Sequence, residues 1–439
     1  MNIILLSGGS GKRLWPLSND VRSKQFIKLF RDENNEYESM VQRVYRQITT
    51  VDADATVTIA TSKSQVSAIR NQLGDKVSVC VEPCRRDTFP AIALAAAYLH
   101  DEKGVSPEES VAVCPVDPYV SNAYYECVQK LGSLVEQGTA NITLMGIEPT
   151  YPSEKYGYII PETADNVSVV KEFKEKPDVP TAEKYIAQGA LWNAGVFAFK
   201  LGYLMEKAHS MIEFTDYRDL YAKYDQLEKI SFDYAVVEKE PSIQVLRFAG
   251  DWKDVGTWNM MAEVMADVTK GNATIDDTCS NVNVINELDI PILCMGCKDM
   301  IISASCDGIL VADKEQSSYM KPYVEKISED VRYAEKSWGT YTVIDAQPMS
   351  MTIKVILRAG NQMKYHSHEH RDEVWTVVEG TGRTIVDGME QVVRPGDVVT
   401  IAAGCKHTLI ADTDMSVIEV QVGADISQAD KTVFPLEQK

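Results

Sequence analysis

An apolar run at residues 3–6 ends in a loop with three glycines, which is followed by a Lys-Arg pair. The run predicts a buried strand. Glycines have no Cβ, so backbone N–H groups in the loop can come close to a bulky anion. The two cations can neutralise phosphate oxygens, and the arginine can bind two of them at once. The residues predicted to contact phosphates are Ser7, Gly8, Gly9, Ser10, Gly11, Lys12 and Arg13.

The spacing of this loop excludes two common phosphate-binding motifs. A P-loop needs a glycine where Leu6 stands and a Ser or Thr where Arg13 stands. A dinucleotide fingerprint needs a third glycine three residues after the second, and counting from Gly8 or Gly9 does not give one. The loop therefore belongs to another class, and an ordinary glycine-rich turn is the alternative interpretation.

Apolar runs alternate with helical patterns from the start of the chain to about residue 261. Nearly continuous runs, typical of a parallel sheet covered on both faces, stand at 57–60, 77–81, 111–114 and 142–146. Segments with helical spacing stand at 37–47, 63–73, 90–102 and 123–137. This alternation predicts an α/β doubly wound domain, whose ligands lie at the carboxyl ends of its strands.

Asp117 follows the apolar run at 111–114 and directly precedes Pro118. A carboxylate at the carboxyl end of a strand, in the same crevice as a phosphate loop, is well placed to hold Mg²⁺. A turn aspartate before a proline is an equally good interpretation of the pair taken alone.

The segment 8–18, followed by Lys24-Gln25-Phe26, resembles the opening of the mannose-1-phosphate guanylyltransferases, a branch of the sugar-phosphate nucleotidylyltransferases. The form that it resembles carries a C-terminal cupin domain of the type II phosphomannose isomerase kind. The resemblance runs the length of the chain. It implies transfer of a nucleotidyl group from GTP to mannose-1-phosphate, which gives GDP-mannose and pyrophosphate, with Mg²⁺ as cofactor.

The resemblance also implies a pair of metal ligands. Pro115-Val116-Asp117 matches the family's Pro-x-Asp-His, with Pro118 in place of the histidine, and residues 252–258 match its Trp-x-Asp-x-Gly-x-Trp. Asp254 is then the second ligand, and capping of the following helix is the alternative role for it. The catalytic residues implied are Arg13, Lys24, Asp117 and Asp254.

Other segments resemble the family's nucleotide-base and sugar sites. Residues 82–88 match Glu-Pro-x-x-Arg-Asn-Thr near the base, with Asp87 where Asn is usual; an Asp can accept hydrogen bonds from the guanine N1–H and amino group. Residues 231–235 match Ser-x-Asp-Tyr-Ala at the start of a helix. For the charges around residue 175, a solvated edge strand is the alternative. The implied contacts are Glu82 and Asp87 to the nucleotide, and Gly157, Glu175, Lys176 and Asn193 to the sugar phosphate.

The last third of the chain has a different character. Residues 271–326 show short β segments with polar turns and no catalytic grouping, which predicts a β-rich connector for packing or dimer contacts. Four of the six histidines then fall between 366 and 407, and the glycines around them complete both cupin motifs, with Ala402 where Pro is usual. This predicts a jelly-roll β-barrel (cupin) domain. Ligands suited to Zn²⁺ or another divalent metal such as Mn²⁺ or Fe²⁺ are His366, His368, Glu373 and His407.

The isomerase half of such enzymes is expected to be absent or very weak here. Where active relatives of the resembled family carry an arginine implicated in isomerisation, this chain has Val433, and Lys431 could replace the arginine only by a shifted register. We therefore expect the cupin domain to bind metal and stabilise the protein with little turnover of mannose-6-phosphate. A bifunctional enzyme is the alternative.

Length and composition bound the remaining choices. A chain of 439 residues predicts two or three domains, placed here at 1–268, 269–330 and 331–439. A net charge of −20 argues against non-specific binding to nucleic acid or to an anionic membrane. No signal peptide precedes Asn2 and no apolar run approaches the roughly 20 residues of a membrane span, so we expect a cytoplasmic protein with reduced thiols. The C-x-x-C at 294–297 is interpreted as packed thiols rather than a zinc knuckle.

Rival functions remain at this point. Nothing outside the resemblance fixes mannose or guanine, so a nucleotidylyltransferase for another hexose-1-phosphate or nucleotide is open. A regulatory subunit that binds a sugar nucleotide without turnover is less favoured, since Arg13, Asp117 and Asp254 are all present. The sequence does not fix the cupin metal or the oligomeric state, for which a homodimer is one arrangement.

Overall fold

The computed structural model describes residues 1–9, 11–19, 21–327 and 331–436. The chain divides into two compact units. The first comprises Met1–Ser10, Lys24–Val66 and Leu73–Ala266, and the second comprises Gly11–Ser23, Ser67–Gln72 and Asp267–Lys439. The division into three parts with the boundaries given above stays a prediction.

A central sheet in the order β5-β4-β1-β6-β11-β8-β12-β10-β9 organises the first unit. Strand β1 pairs in parallel with β4 and with β6, so that Ser7 lies opposite Thr61 and Leu6 lies opposite Pro115. The carboxyl ends of these strands therefore meet at one edge. The strands are β1 (Asn2–Ser7), β2 (Lys28–Arg31), β3 (Tyr37–Ser39), β4 (Thr56–Ser62), β5 (Ser78–Glu82), β6 (Ser110–Pro115), β7 (Pro118–Val120), β8 (Ile142–Ile147), β9 (Tyr158–Pro161), β10 (Val167–Lys174), β11 (Leu191–Lys200), β12 (Ile243–Phe248) and β13 (Trp252–Asp254).

The sheet is mixed, which corrects the prediction of a parallel sheet. Strand β11 runs antiparallel to both of its neighbours β6 and β8, and β10 runs antiparallel to β12. The four predicted strands are found and point the same way. An apolar run buried on both faces has the same sequence pattern in either direction, so the inserted antiparallel strand left no signal.

Helices stand between the strands at the predicted places, with shifted ends. The segment 37–47 begins as β3, and its helix starts only at Met40, because Ser39 caps it in a capping box with Gln42. Asp87 caps the next long helix with φ +70° and accepts the Thr88 N–H. No helix among the described residues has the length and apolar composition of a membrane span. The helices are α1 (Met40–Val51), α2 (Val66–Leu73), α3 (Thr88–Asp101), α4 (Asn122–Glu136), α5 (Val179–Ala187), α6 (Leu201–Met211), α7 (Tyr217–Ala222), α8 (Phe232–Ala235) and α9 (Trp258–Ala262).

The connector in the second unit is built from short, mostly parallel rungs. Its sheets have the orders β14-β16-β18-β19 and β15-β17, in which only the pair β18–β19 is antiparallel. Cys294 is buried in its core and Cys297 packs against that core, in line with the interpretation as packed thiols. The elements are β14 (Thr269–Lys270), β15 (Ala273–Ile275), β16 (Asn283–Asn286), β17 (Ile292–Cys294), β18 (Met300–Ser305), β19 (Gly308–Asp313) and α10 (Lys321–Val324).

The cupin barrel follows, with the sheets β20-β21-β22-β29-β24-β27 and β26-β25-β28-β23-β30. Its core holds Trp375, Leu357, Val417 and Leu409, each almost fully buried. The strands are β20 (Tyr333–Lys336), β21 (Gly339–Gln347), β22 (Ser350–Leu357), β23 (His366–Ser367), β24 (Arg371–Glu379), β25 (Gly382–Val386), β26 (Met389–Val393), β27 (Val398–Ile401), β28 (His407–Ala411), β29 (Met415–Gly423) and β30 (Thr432–Val433).

Candidate active site and cupin metal centre

The carboxyl end of β1 is fixed by a buried polar network. The Ser7 hydroxyl donates to Gln65 Oε1 at 3.2 Å, and Gln25 Nε2 donates to Ser7 Oγ at 3.0 Å. The Thr61 hydroxyl donates to the same Gln65 oxygen at 3.0 Å. The side chain of Ser7, a predicted nucleotide contact, therefore forms hydrogen bonds within the protein that fix the start of the loop.

The glycines after Ser7 leave open space at this edge of the sheet. Gly8 and Gly9 are exposed. A Cβ added at Gly9 would meet no atom within 4 Å, and one at Gly8 would meet only Glu82 Oε1, at 3.7 Å. Ser10 lies outside the described residues. Gly11 opens a 3-10 turn in the second unit, in which the Arg13 side chain is exposed.

Asp117 directly precedes β7, and Asp254 is the last residue of β13, the strand that pairs with β7. Strand β13 pairs antiparallel with β7, which puts Asp254 opposite Pro118, the residue after Asp117. Lys24 Nζ lies 2.8 Å from Asp117 Oδ2 and donates to the Val255 carbonyl at 3.2 Å. Three predicted catalytic side chains thus come from three separate parts of the sequence to one place.

The alternative role of Asp254 as a helix cap is wrong, because the N-cap of α9 is Thr257. Burial raises the pKa of Tyr156, and the negative charge of Asp254 adds to that rise. One carboxylate stands just before β7 and the other on its partner strand β13. Carboxylate oxygens are the ligands that Mg²⁺ prefers. These residues therefore fit a hard divalent cation.

Glu82 and Asp87, the predicted contacts to the nucleotide, differ in environment. Glu82 is buried next to the Gly8 position, where the Tyr224 hydroxyl donates to its Oε2 at 2.8 Å. Burial raises the pKa of Glu82. Asp87 is exposed, and its Oδ1 accepts the Thr88 N–H at 2.8 Å in the cap of α3.

The predicted sugar contacts converge around Gly157. A Cβ at Gly157 would lie 2.5 Å from Glu175 Oε2 and 3.4 Å from Asn193 Cβ, so no other residue fits this approach without displacement. The Asn193 N–H donates to the Gly157 carbonyl at 2.8 Å. Lys176 follows Glu175 with φ +46° and forms an ion pair with it. The four residues form one small polar pocket wall, which the sequence placed on three separate segments.

Asp233 joins this wall and was not among the predicted site residues. Asn193 Nδ2 donates to Asp233 Oδ1 at 2.7 Å. Burial raises the pKa of Asp233 to about 6, and the nearby charge of Glu175 contributes. Glu175 Oε2 has no hydrogen-bond partner among the described residues. The available signal was the Ser-x-Asp-Tyr-Ala match, which does not reveal that Asp233 meets a carboxylate from the end of β10.

An aromatic group, defined as Tyr156, Trp192 and Trp252, spans the distance between this wall and Asp254. The ring of Tyr156 lies 4.9 Å from Trp192 and 5.3 Å from Trp252, measured between centroids. Tyr156 precedes Gly157, and Trp252 shares β13 with Asp254. The packing of these rings fixes the sugar wall relative to the carboxylate pair. Periodicity could not find it, because the rings lie in three distant segments.

The cupin centre is built from imidazoles whose orientation is fixed. His366 Nδ1 lies 2.6 Å from the Lys364 carbonyl, and His407 Nδ1 lies 2.9 Å from the Cys405 carbonyl. His368 Nδ1 lies 2.6 Å from the backbone carbonyl of a residue in the C-terminal turn, Asp430. A carbonyl only accepts, so each Nδ1 carries a proton, and Nε2 is the nitrogen of each ring that can ligate a metal.

Glu373 is buried among these imidazoles. Its Oε1 lies 3.1 Å from His368 Nε2 and accepts from Arg371 Nε at 3.2 Å. Its Oε2 accepts from Trp375 Nε1 at 3.1 Å and lies 3.3 Å from His407 Nε2. Burial opposes its charge, but the neighbouring imidazoles of His368 and His407 outweigh burial and lower the pKa of Glu373.

Among the described residues, the side chains with the spacing of a metal-ligand group of three or more are His366, His368 and His407, whose ligand atoms lie within 4.8 Å of one another. Glu373 contacts two of them. Neutral imidazoles with one carboxylate suit a divalent transition metal. The residues fit such a metal, and its identity is a matter for experiment.

Comparison with known proteins agrees with this geometry. The nucleotidyl transferase family model matches residues 2–271, more than half of the chain. The chain belongs to the nucleotidyl transferase family. A second model, the cupin domain, matches residues 353–421. These matches confirm the predicted fold class, an α/β nucleotidyltransferase domain followed by a cupin barrel.

This nucleotidyl transferase is similar to whole proteins of the same architecture. It is 29% identical to the mannose-1-phosphate guanylyltransferase ManC of Salmonella typhimurium, over 98% of this chain and 96% of that protein. It is 30% identical to the xanthan biosynthesis protein XanB of Xanthomonas campestris, over 98% and 97%. A solved structure from Thermus thermophilus, described as mannose-1-phosphate geranyltransferase, is 25% identical with a TM-score of 0.61 and covers 74% of this chain and 98% of its own.

The barrel of this nucleotidyl transferase encloses a cavity of about 1030 Å³ beside the imidazoles. The lining includes His366, Lys336, Lys364, Lys431 and Glu419. Burial lowers the pKa of Lys431 to about 8 and raises that of Glu419 to about 8. The cavity thus has a largely apolar lining in which cationic side chains outnumber anionic ones.

Proposed function

We propose that the chain transfers a guanylyl group from GTP to mannose-1-phosphate, which releases GDP-mannose and pyrophosphate. Similarity to mannose-1-phosphate guanylyltransferases over nearly the whole length supports this substrate pair. The observation that carries the proposal is the convergence of Asp117, Asp254 and Lys24 at the edge of the sheet. Lys24, and a divalent cation held by the two carboxylates, can neutralise the negative charge on the phosphate that is transferred.

The reaction needs positioning and charge more than proton transfer. A phosphate oxygen of mannose-1-phosphate attacks the α-phosphorus of GTP, and the bond to the β-phosphate oxygen breaks in line. The attacking phosphate is already ionised, so no general base is required. Arg13 and the loop amides hold the triphosphate, and Lys24 and Lys176 screen the remaining negative charge.

The carboxylate pair is the proposed site for Mg²⁺. Bound between Asp117 and Asp254, the ion would supply positive charge for the α-phosphate and the incoming phosphate. Lys24 holds Asp117 in place through its 2.8 Å ion pair. Glu82 and Asp87 serve the base, and Gly157, Glu175 and Asn193 serve the sugar. A homodimer and a cytoplasmic location stay predictions.

A pyrophosphate-release screen of four nucleoside triphosphates against several hexose-1-phosphates tests the proposal. GTP with mannose-1-phosphate should give the highest kcat/KM. A clear preference for another pair would show that the proposed substrates are wrong and the proposed reaction is right. No turnover with any pair would contradict the proposed substrates and the proposed reaction. Gly9→Val is the matched loop variant: its side chain enters space that is open in the structure, and GTP binding should be lost. Unchanged GTP affinity by calorimetry would remove the loop assignment.

Isomerase activity of the cupin barrel is the second candidate, and the expectation of weak turnover stands as a prediction. Strand β30 puts Val433 opposite His366, with the Val433 side chain half exposed, while Lys431 lines the cavity. Lys431 is therefore a cation of the cavity lining, together with Lys336 and Lys364, that can meet a sugar phosphate there. A coupled assay with Zn²⁺, Mn²⁺ and Co²⁺ in turn measures this. Robust conversion of mannose-6-phosphate that disappears in His368→Ala would overturn the expectation.

A further inference from the structure

The cations of the phosphate loop stand on a segment that belongs to the second unit. Gly11–Leu14 forms a 3-10 turn that carries Lys12 and Arg13. Leu14 is fully buried, and its N–H donates to the Ser18 hydroxyl at 3.1 Å. The place of the two cations therefore depends on what holds residues 14–23.

The connector turn between β18 and β19 holds the middle of this segment. The Ser305 hydroxyl donates to the Pro16 carbonyl at 2.8 Å. A Cβ added at Gly308 would lie 2.3 Å from Trp15 Cζ2, so the indole ring rests directly on the glycine backbone. Any larger residue at position 308 must push Trp15 away.

A partly buried ion pair holds the far end of the segment. Arg22 donates its two terminal nitrogens to Glu287 at 2.7 and 3.0 Å, and its guanidinium lies 4.8 Å from the centre of the Tyr333 ring. Burial opposes both charges, but their mutual attraction raises the pKa of Arg22 and lowers that of Glu287. Nearby, Asn19 Nδ2 donates to Asp307 Oδ2 at 2.8 Å. A two-point pair of this kind fixes orientation as well as distance.

We propose that the connector positions Lys12 and Arg13 for the triphosphate, and that Glu287 and Gly308 are the positioning residues. The inference rests on the proposed function, in which Arg13 binds GTP. A segment that is already ordered loses little conformational freedom when the nucleotide binds. When the segment is no longer held, ordering it costs free energy in the GTP complex and in the transition state equally. The KM for GTP therefore rises while kcat stays the same. The connector, which carries no catalytic grouping, thereby acts on nucleotide affinity.

Steady-state kinetics and calorimetric GTP titration of Glu287→Gln, Ser305→Ala and Gly308→Ala test this. Glu287→Gln and Gly308→Ala should each raise KM and Kd for GTP about 10-fold, Ser305→Ala less, with kcat and the KM for mannose-1-phosphate within about 2-fold. Gly296→Ala is the matched control: it strains a connector turn at φ +64° but meets no atom within 4 Å, so its GTP affinity should equal that of the wild type.

A second series separates positioning from general damage. In an Arg13→Ala background the same connector variants should add only a small further loss of GTP affinity, because most of what they position is already gone. An equal additional loss in that background, or wild-type GTP affinity in folded Gly308→Ala and Ser305→Ala, overturns the proposal. A wild type that binds GTP but turns over no sugar phosphate would remove the proposed function alone, since the titration still measures positioning.

Discussion

The two chemical centres of this chain handle buried charge in opposite ways. In the cupin barrel, Glu373 accepts hydrogen bonds at both oxygens, its pKa is lowered by the imidazoles of His368 and His407, and each imidazole is oriented through Nδ1. In the transferase unit, Asp233 is also largely shielded from water but is short of donors and faces Glu175, so its pKa rises to about 6. At the first centre, imidazoles stabilise the charge of the buried carboxylate. At the second, two carboxylates lie close together, and the repulsion between their charges is one reason for the raised pKa.

This difference implies that removing a carboxylate changes the free energy of unfolding in opposite directions at the two centres. Glu373→Ala should lower the free energy of unfolding of the barrel by about 3–5 kcal/mol, because the buried guanidinium of Arg371 loses its nearest carboxylate. Chemical denaturation measures this. Glu379→Ala, exposed at the other end of β24, is the control and should stay within about 0.5 kcal/mol. Equal effects of the two variants would mean that the buried carboxylate has no special role in stability.

The carboxylate pair of the transferase unit should matter for turnover. Asp117→Asn and Asp254→Asn should each slow nucleotidyl transfer by at least about 100-fold at saturating Mg²⁺, the scale on which positioned charge acts. Pyrophosphate release is the measurement, and Asp251→Asn, exposed just before β13, should be close to wild type. Near-wild-type rates in either test variant would take that residue out of the mechanism.

Asp233→Asn should raise stability, in contrast to Glu373→Ala. Its folded pKa of about 6 lies above the ordinary 3.8, so the folded state holds an extra proton between these values and stability falls as pH rises through that window. Above pH 7 the variant should therefore be more stable by about 1–3 kcal/mol, and the advantage should shrink toward pH 4. Melting temperatures of both proteins from pH 4 to pH 8 measure this, and a difference that does not change with pH would contradict it.

The two arginines sharpen the comparison further. Arg371 is buried between His368 and Glu373, whereas Arg13 is exposed on its 3-10 turn. Arg13→Ala should leave the melting temperature unchanged and weaken GTP binding about 10-fold, because the lost hydrogen bonds are to substrate phosphates. Calorimetry with GTP gives the affinity. A lower melting temperature with unchanged affinity would assign Arg13 to the fold.

Local signals sufficed for much of this architecture. The four parallel strands are short-range patterns, and each was predicted as the right element. The spacing of the cupin histidines is also a short-range pattern, and the structure brings three of these side chains together, while their role as ligands stays a prediction. The start of α1 was also readable, since Ser39 and Gln42 form a capping box, but the helical spacing from residue 37 obscured it.

Long-range features could not be read in the same way. The antiparallel insertion of β11 has no sequence signature, because both of its faces are buried like those of a parallel strand. Asp233 acquires its raised pKa in part from Glu175, which is 58 positions away. The hydrogen bonds that fix the Ser7 hydroxyl come from Gln25 and Gln65, which lie on other segments. These are properties of contacts between segments, which the order of residues does not state.

The ion pair between Arg22 and Glu287 has a consequence in time as well as in space. The two residues are 265 positions apart, so Arg22 leaves the ribosome long before its partner is made. At about 5–20 residues per second, the guanidinium waits roughly 13–50 s for its carboxylate. During synthesis, the segment that carries Lys12 and Arg13 cannot take its final form until the connector has been translated. The ability to bind nucleotide is thus expected late in synthesis, although the residues proposed to bind it are among the first to be translated.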